Sequence, residues 1–69
     1  MYVNLVVAMK LRKITIENIA EYLGLHRNSV SNKLKGESKF TIEEAFKIHK
    51  RFFPEMDIEE LFKKEEKAE

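Results

Sequence analysis

Residues 15–36 read TIENIAEYLGLHRNSVSNKLKG, and their punctuation decides the fold. Thr15 carries the side chain of a helix N-cap, and Glu17 stands where an acid favours the first turn. Ile16, Ile19, Ala20 and Leu23 follow at i, i+3, i+4 and i+7, a complete apolar stripe. Gly24 stops this helix, because a residue without Cβ takes the left-handed cap conformation at little cost. A second helix is expected from His26 or Arg27 to Lys35, with Gly36 ending it in the same way. Helix, short turn and second helix form a helix-turn-helix layout. Ala20 is small where the helices would cross, and Leu25 would tuck beneath the turn. Ile19, Leu23, Val30 and Leu34 would fill the angle between them.

A turn of 100° per residue sorts the second helix into two faces. Val30 and Leu34 point inward together; Asn28 and Asn32 lie opposite, with Lys35 beside them and Ser29 and Ser31 on the flanks. Arg27 occupies the exposed first turn. Arg and Asn side chains make bidentate hydrogen bonds to guanine and adenine edges in a major groove, so Arg27, Asn28, Ser31 and Asn32 are the candidate base readers. Lys33, Lys35 and Lys39 suit phosphates on either side, with Ser29 and Tyr22 as further phosphate candidates. The alternative for these residues is an ordinary solvated helix face.

Working outward, Asn4 can cap a first helix with Leu5, Ala8, Met9 and the stem of Arg12 inward. Thr41 with Glu44 is a capping box that opens a fourth helix, whose expected inward stripe is Ile42, Ala45, Phe46, His49, Phe52 and Phe53, ended by Pro54. Asp57 with Glu60 repeats the capping pattern before a short helix with Ile58, Leu61 and Phe62 inward. The expectation is an all-α, compact five-helix domain over residues 1–62, followed by a charged tail at 63–69 that frays.

Composition narrows the function. A 69-residue chain without cysteine has neither a disulfide nor a thiolate zinc site to stabilise it, and is expected in a reducing, cytoplasmic setting. The longest apolar run, Leu5–Met9, is far shorter than the roughly 20 residues of a membrane span. Lys10, Arg12 and Lys13 follow that run instead of preceding it, which does not fit an export signal. No phosphate loop, nucleophile elbow or catalytic cysteine is present, so neither an enzyme nor a cofactor is expected. His26 and His49 lack metal-ligand spacing. The net charge of +1 conceals polarity: residues 1–39 hold seven Lys or Arg against three Glu, and residues 40–69 hold six against nine acids. A basic patch opposed by an acidic end confines a polyanion to one side.

The stretch Thr15, Ile16, Ile19, Ala20, Leu23, Gly24, Leu25, Ser29, Val30, Ser31, Asn32, Lys33, Leu34 and Gly36 resembles the lambda-repressor-like (Cro/XRE) helix-turn-helix family, in particular its short phage- or prophage-borne regulators. FTIEEAFKI and DIEELF resemble the family's fourth and fifth helices, so the likeness covers about residues 4–62. It implies a sequence-specific regulator of transcription that binds double-stranded DNA, often as a dimer on a palindromic operator. The chain departs from the family pattern in four places. Ile16 replaces a Gln that helps hold the DNA backbone, and His26 replaces the usual Ser, Thr or Asp cap. Lys33 stands at an often apolar position, where its stem can pack while its amine reaches out, and His49 stands where Ala is common.

The expected function is repression by occlusion of a promoter, with no small-molecule ligand and no membrane contact. A monomer this weakly charged neutralises few phosphates, which argues for a homodimer. Its interface is expected around Phe52, Phe53, Ile58 and Phe62, with Val6 and Val7 as the alternative patch. The rival reading is an antirepressor- or inhibitor-like module that keeps the fold and binds a protein, suggested by the low net charge and by Val3, Val6 and Val7.

Overall fold

Local chemistry sets most of the helix ends. In the computed structural model, which describes residues 1–64, the helices are α1 Val3–Arg12, α2 Ile16–Leu23, α3 Arg27–Lys35, α4 Ile42–Phe52 and α5 Ile58–Leu61. No strand occurs among the described residues. The Thr15 hydroxyl accepts from the Asn18 N–H at 3.0 Å, and the Asn18 side chain accepts from the Thr15 N–H at 2.9 Å. The Thr41 hydroxyl and Glu44 N–H, 3.0 Å apart, close the same reciprocal box on α4. The Asp57 carboxylate accepts from the Glu60 N–H at 3.3 Å. Gly24 ends α2 at φ 72° and Gly36 ends α3 at φ 91°, both left-handed. A Cβ on Gly36 would lie 3.1 Å from the Met1 backbone nitrogen, a tight contact on top of the left-handed backbone.

The start of α1 differs from expectation. Tyr2, not Asn4, is the N-cap residue, and its N–H donates to the Leu34 carbonyl at 3.1 Å. Asn4 lies inside the helix and donates its side-chain amide to the Glu60 carbonyl at 2.7 Å. Both bonds join α1 to distant segments, and no local pattern announces them.

The core draws one or more side chains from every helix. Leu5, Ile19, Val30, Ile48, Phe53 and Leu61 are fully enclosed, with Tyr2, Ala8, Met9, Ala20 and Leu34 nearly so. Tyr2, Phe40 and Phe62 pack edge to face, with ring centroids 5.2–6.1 Å apart, and cover one end of that core. At the other end the Arg12 guanidinium donates to the Phe52 carbonyl at 2.8 Å, pairs with Glu55, and lies 5.1 Å from the Phe53 ring centroid. It thereby caps α4 with a cation, where the exposed carbonyls and the helix dipole favour one.

The inward face of α4 is a correction. Ile42 and Phe46 are 76% and 57% exposed, whereas Ile48, absent from the expected stripe, is fully enclosed. Ala45, Ile48 and Phe52 share the inward face at i, i+3 and i+7. The helix carries two apolar stripes, and packing on α2 and α5 selects the second. His49 flanks that face. Its Nε2–H donates to the Met56 carbonyl at 2.6 Å, since a carbonyl only accepts, and ties α4 to the turn before α5.

Burial differs among the four residues expected at a dimer contact. Phe53 is wholly enclosed and offers nothing to a second subunit. Phe62 is half-buried in the aromatic cluster and Phe52 half-buried against Tyr22, 5.7 Å between centroids; Ile58 is half-buried as well. Of the charged tail, Lys63 and Lys64 are exposed, while residues 65–69 lie outside the described residues.

The two stripes of α4 give a direct check. Ile48→Ala is expected to cost about 2–4 kcal/mol, as emptying an enclosed site does. Phe46→Ala should stay within about 0.5 kcal/mol, as at an ordinary surface position. Paired thermal melts test this, and equal losses would contradict the observed face.

Candidate nucleic-acid interface

Only two of the nine residues of α3, Val30 and Leu34, are buried. Their anchoring against α2 turns Arg27, Asn28, Asn32 and Lys35 outward into solvent and leaves Ser29 and Ser31 half-buried on the flanks. This is the arrangement expected from the helical wheel. His26 precedes the helix in an extended conformation and makes no side-chain cap bond. The first turn of α3 is therefore held by backbone bonds to the His26 carbonyl, from Ser29 at 3.0 Å and Val30 at 3.3 Å.

Arg27 has a partner that the sequence reading missed. Its Nη1 lies 3.3 Å from Glu17 Oε2 across the helix-turn-helix, and both side chains are about two-thirds exposed. A cation in the first turn of α3 opposes the helix dipole, and a carboxylate beside it offsets that cost. An exposed pair of this kind adds little stability. The contact is made through Nη1, leaving the Nη2 and Nε donors outside it. Glu17 was legible as a first-turn acid, but its reach to Arg27 depends on how the two helices cross.

Lys33 has a different use from its neighbours. Its amine donates to the Lys39 carbonyl at 2.9 Å and lies 3.2 Å from Glu44 Oε1, the oxygen that caps Thr41. The Phe40 ring centroid is 5.9 Å away. The two charged side chains are only 15% and 20% exposed, so water screens the pair poorly. The amine expected at a phosphate is thus committed to joining α3, the 36–41 loop and α4. Lys35 and Lys39 are exposed.

Tyr22 stands apart from the face of α3. It lines a groove between α2 and α4 with Ile42, Phe46, Lys47 and Lys50, and the Arg51 guanidinium lies 5.9 Å from its ring centroid. Lys10 is a second residue the sequence reading missed. With Ser31 and Lys35 it lines a groove of about 300 Å³ between α1 and α3, floored by Met9, Ile14 and Leu34. Only the tertiary packing of α1 brings it there. Among the described residues no group of three His, Asp or Glu is placed to hold a metal. No helix among them is long and apolar enough to cross a membrane.

A family model described as helix-turn-helix, of the Cro/C1 type, matches residues 8–53, from the middle of α1 to the end of α4. The chain therefore belongs to this helix-turn-helix family of DNA-binding regulators. No curated protein and no solved structure matches it.

The commitment of Lys33 can be checked on the isolated protein. Lys33→Met keeps most of the stem and removes the amine, leaving the Lys39 carbonyl and Glu44 short of a partner. A loss of about 1–3 kcal/mol in thermal or urea unfolding is expected. An unchanged midpoint would show that the amine does not hold the loop.

Proposed function

We propose that the chain is a sequence-specific regulator that lays α3 in the major groove of operator DNA, with Arg27, Asn28, Ser31 and Asn32 on base edges. Ser29, Lys35 and Lys39 contact phosphates, joined by Lys10 from the neighbouring groove. The observation that carries this reading is the outward face of α3, where Arg27, Asn28, Asn32 and Lys35 are exposed around two enclosed anchors. Direct readout needs such donors on one helix face, and backbone contacts set the register. Glu17 orients Arg27 so that the Nη2 and Nε donors meet a guanine edge.

The unit on DNA is a dimer. Few cations lie on this face, and affinity grows with the number of phosphates neutralised, so one copy binds weakly at physiological salt. Two copies double the contacts and make the second docking intramolecular. The operator is then a palindrome with half-site centres about 10 base pairs, or one helical turn, apart. Repression follows from covering the promoter, which needs no group beyond the bound domain itself. One observation favours a second reading, a module that binds protein: Ile42, Phe46 and Tyr22 are 76%, 57% and 45% exposed along the α2–α4 groove.

Selection from random duplex DNA, followed by binding of variants to the enriched site and to scrambled sites, tests the proposal. Arg27→Ala or Asn28→Ala should each cost about 1–3 kcal/mol and relax preference at one or two base pairs. Lys35→Ala should weaken all sequences alike and lower the salt slope by about one. Glu17→Gln should relax preference only at the pair read by Arg27. Failure to enrich any sequence would favour the protein-binding module.

A further inference from the structure

We infer that the groove between α1 and α3 binds a small amphiphilic anion, a medium-chain carboxylate, whose head group engages Lys10 and Lys35 in place of DNA. The site stands on its own geometry; its effect on DNA rests on the reading above. No small-molecule ligand was expected from the sequence, because only the packing of α1 on α3 creates the recess. It holds about 300 Å³, at the lower end of the roughly 300–1,000 Å³ common for small-molecule sites. Met9 and Leu34, each only 6% exposed, line it together with the half-buried Val6, Ile14 and Ile16. Its polar groups are the Lys10 and Lys35 amines and the Ser31 hydroxyl, and among the described residues no acid lines it.

The walls are held by bonds within the chain. The Tyr2 N–H donates to the Leu34 carbonyl at 3.1 Å and ties the start of α1 to the end of α3. Lys13 turns the chain back in a left-handed conformation, φ 57°, and the Ile14 N–H donates to the Met9 carbonyl at 2.9 Å. A recess fixed in this way needs little ordering when a ligand enters.

Its two kinds of surface select the occupant. A phosphate would satisfy the lysines and leave the apolar floor in water. A neutral hydrocarbon would cover the floor and gain nothing from the lysines. A second copy about a two-fold axis would set both lysines against their own copies. A carboxylate on an apolar body uses floor and cations together. The other grooves lack this combination. Arg12, beside α5, is held by Glu55 and the Phe52 carbonyl, and Lys47, between α2 and α4, pairs with Glu43 at 3.7 Å. Lys10 and Lys35 have no carboxylate partner among the described residues. Both are cations assigned above to DNA phosphates, so carboxylate and duplex exclude each other, and each weakens the other by the same factor.

NMR titration of the full chain with straight-chain carboxylates from butanoate to decanoate, below their aggregation limits, tests the site. Saturable shifts are expected at Met9, Ile14, Ser31 and Leu34, with affinity rising with chain length. Octanoate should bind at least tenfold more tightly than 1-octanol, and octylammonium should not bind. Replacing both cations, Lys10→Gln with Lys35→Gln, should weaken octanoate at least tenfold with an unchanged melt, since both are exposed. Lys47→Gln with Lys50→Gln should bind it as the wild type does. Saturating octanoate should weaken an enriched duplex at least fivefold in the wild type and leave the Lys10→Gln, Lys35→Gln variant unaffected. No binding by any carboxylate, equal binding of 1-octanol, shifts centred on another groove, or octanoate binding undiminished without the two lysines would overturn the inference. A duplex selected without any carboxylate binding leaves the DNA reading standing and overturns the site. Octanoate bound at these residues in a chain that enriches no duplex supports the site and overturns the regulator.

Discussion

With only two apolar side chains among its nine residues, α3 can bury almost nothing of itself. Val30 and Leu34 contribute roughly 1.5–3 kcal/mol each when fully enclosed, too little to hold an isolated helix of this length. The rest of the structure supplies what α3 lacks. α2 offers Ile19 and Ala20 as the opposing wall, and two left-handed glycines fix where α3 begins and ends. Lys33 then clamps its last turn to Glu44 and the Lys39 carbonyl. A helix whose other seven positions are Arg, Asn, Ser and Lys has no further apolar residues to bury, so its stability is borrowed from its neighbours.

Features governed by near neighbours were legible in the sequence. Thr15, Gly24, Gly36, Thr41 and Asp57 announced three starts and two stops correctly, Asp57 with only one half of a capping box, because capping is chemistry within a few residues. The outward face of α3 was equally legible, since Val30 and Leu34 leave no other choice of inward direction. α4 was ambiguous by construction. Ile42–Phe46 and Ala45–Ile48–Phe52 are both apolar at helical spacing, and only the position of α2 and α5 decides between them. The same dependence hid the Glu17–Arg27 pair, the inward amine of Lys33 and the arrival of Lys10 beside Ser31. Phe53 stood among the expected interface residues because its place in the core depends on tertiary packing: Phe40 and Phe62 pack on Tyr2, and Phe53 takes the centre.

The polarity of charge along the chain gains a spatial meaning from the fold. Of the cations in the first 39 residues, Arg27, Lys35 and Lys39 are exposed on or just after α3, whereas Arg12 and Lys33 are held by Glu55 and Glu44; much of the acidic excess is likewise used structurally: Glu44 and Asp57 as caps, Glu55 on Arg12, Glu43 on Lys47. Among the described residues, few of the chain's cations therefore stay free of a partner on that side of the domain.

Amide and side-chain NMR shifts of the full chain, titrated with a duplex enriched from random sequence, test whether the outer face of α3 reads DNA. The largest changes are expected on Arg27, Asn28, Ser31 and Asn32, with Lys10, Lys35 and Lys39 responding to any duplex and Ile42 and Phe46 to none. Changes centred on Tyr22, Ile42 and Phe46 with α3 unmoved would contradict it.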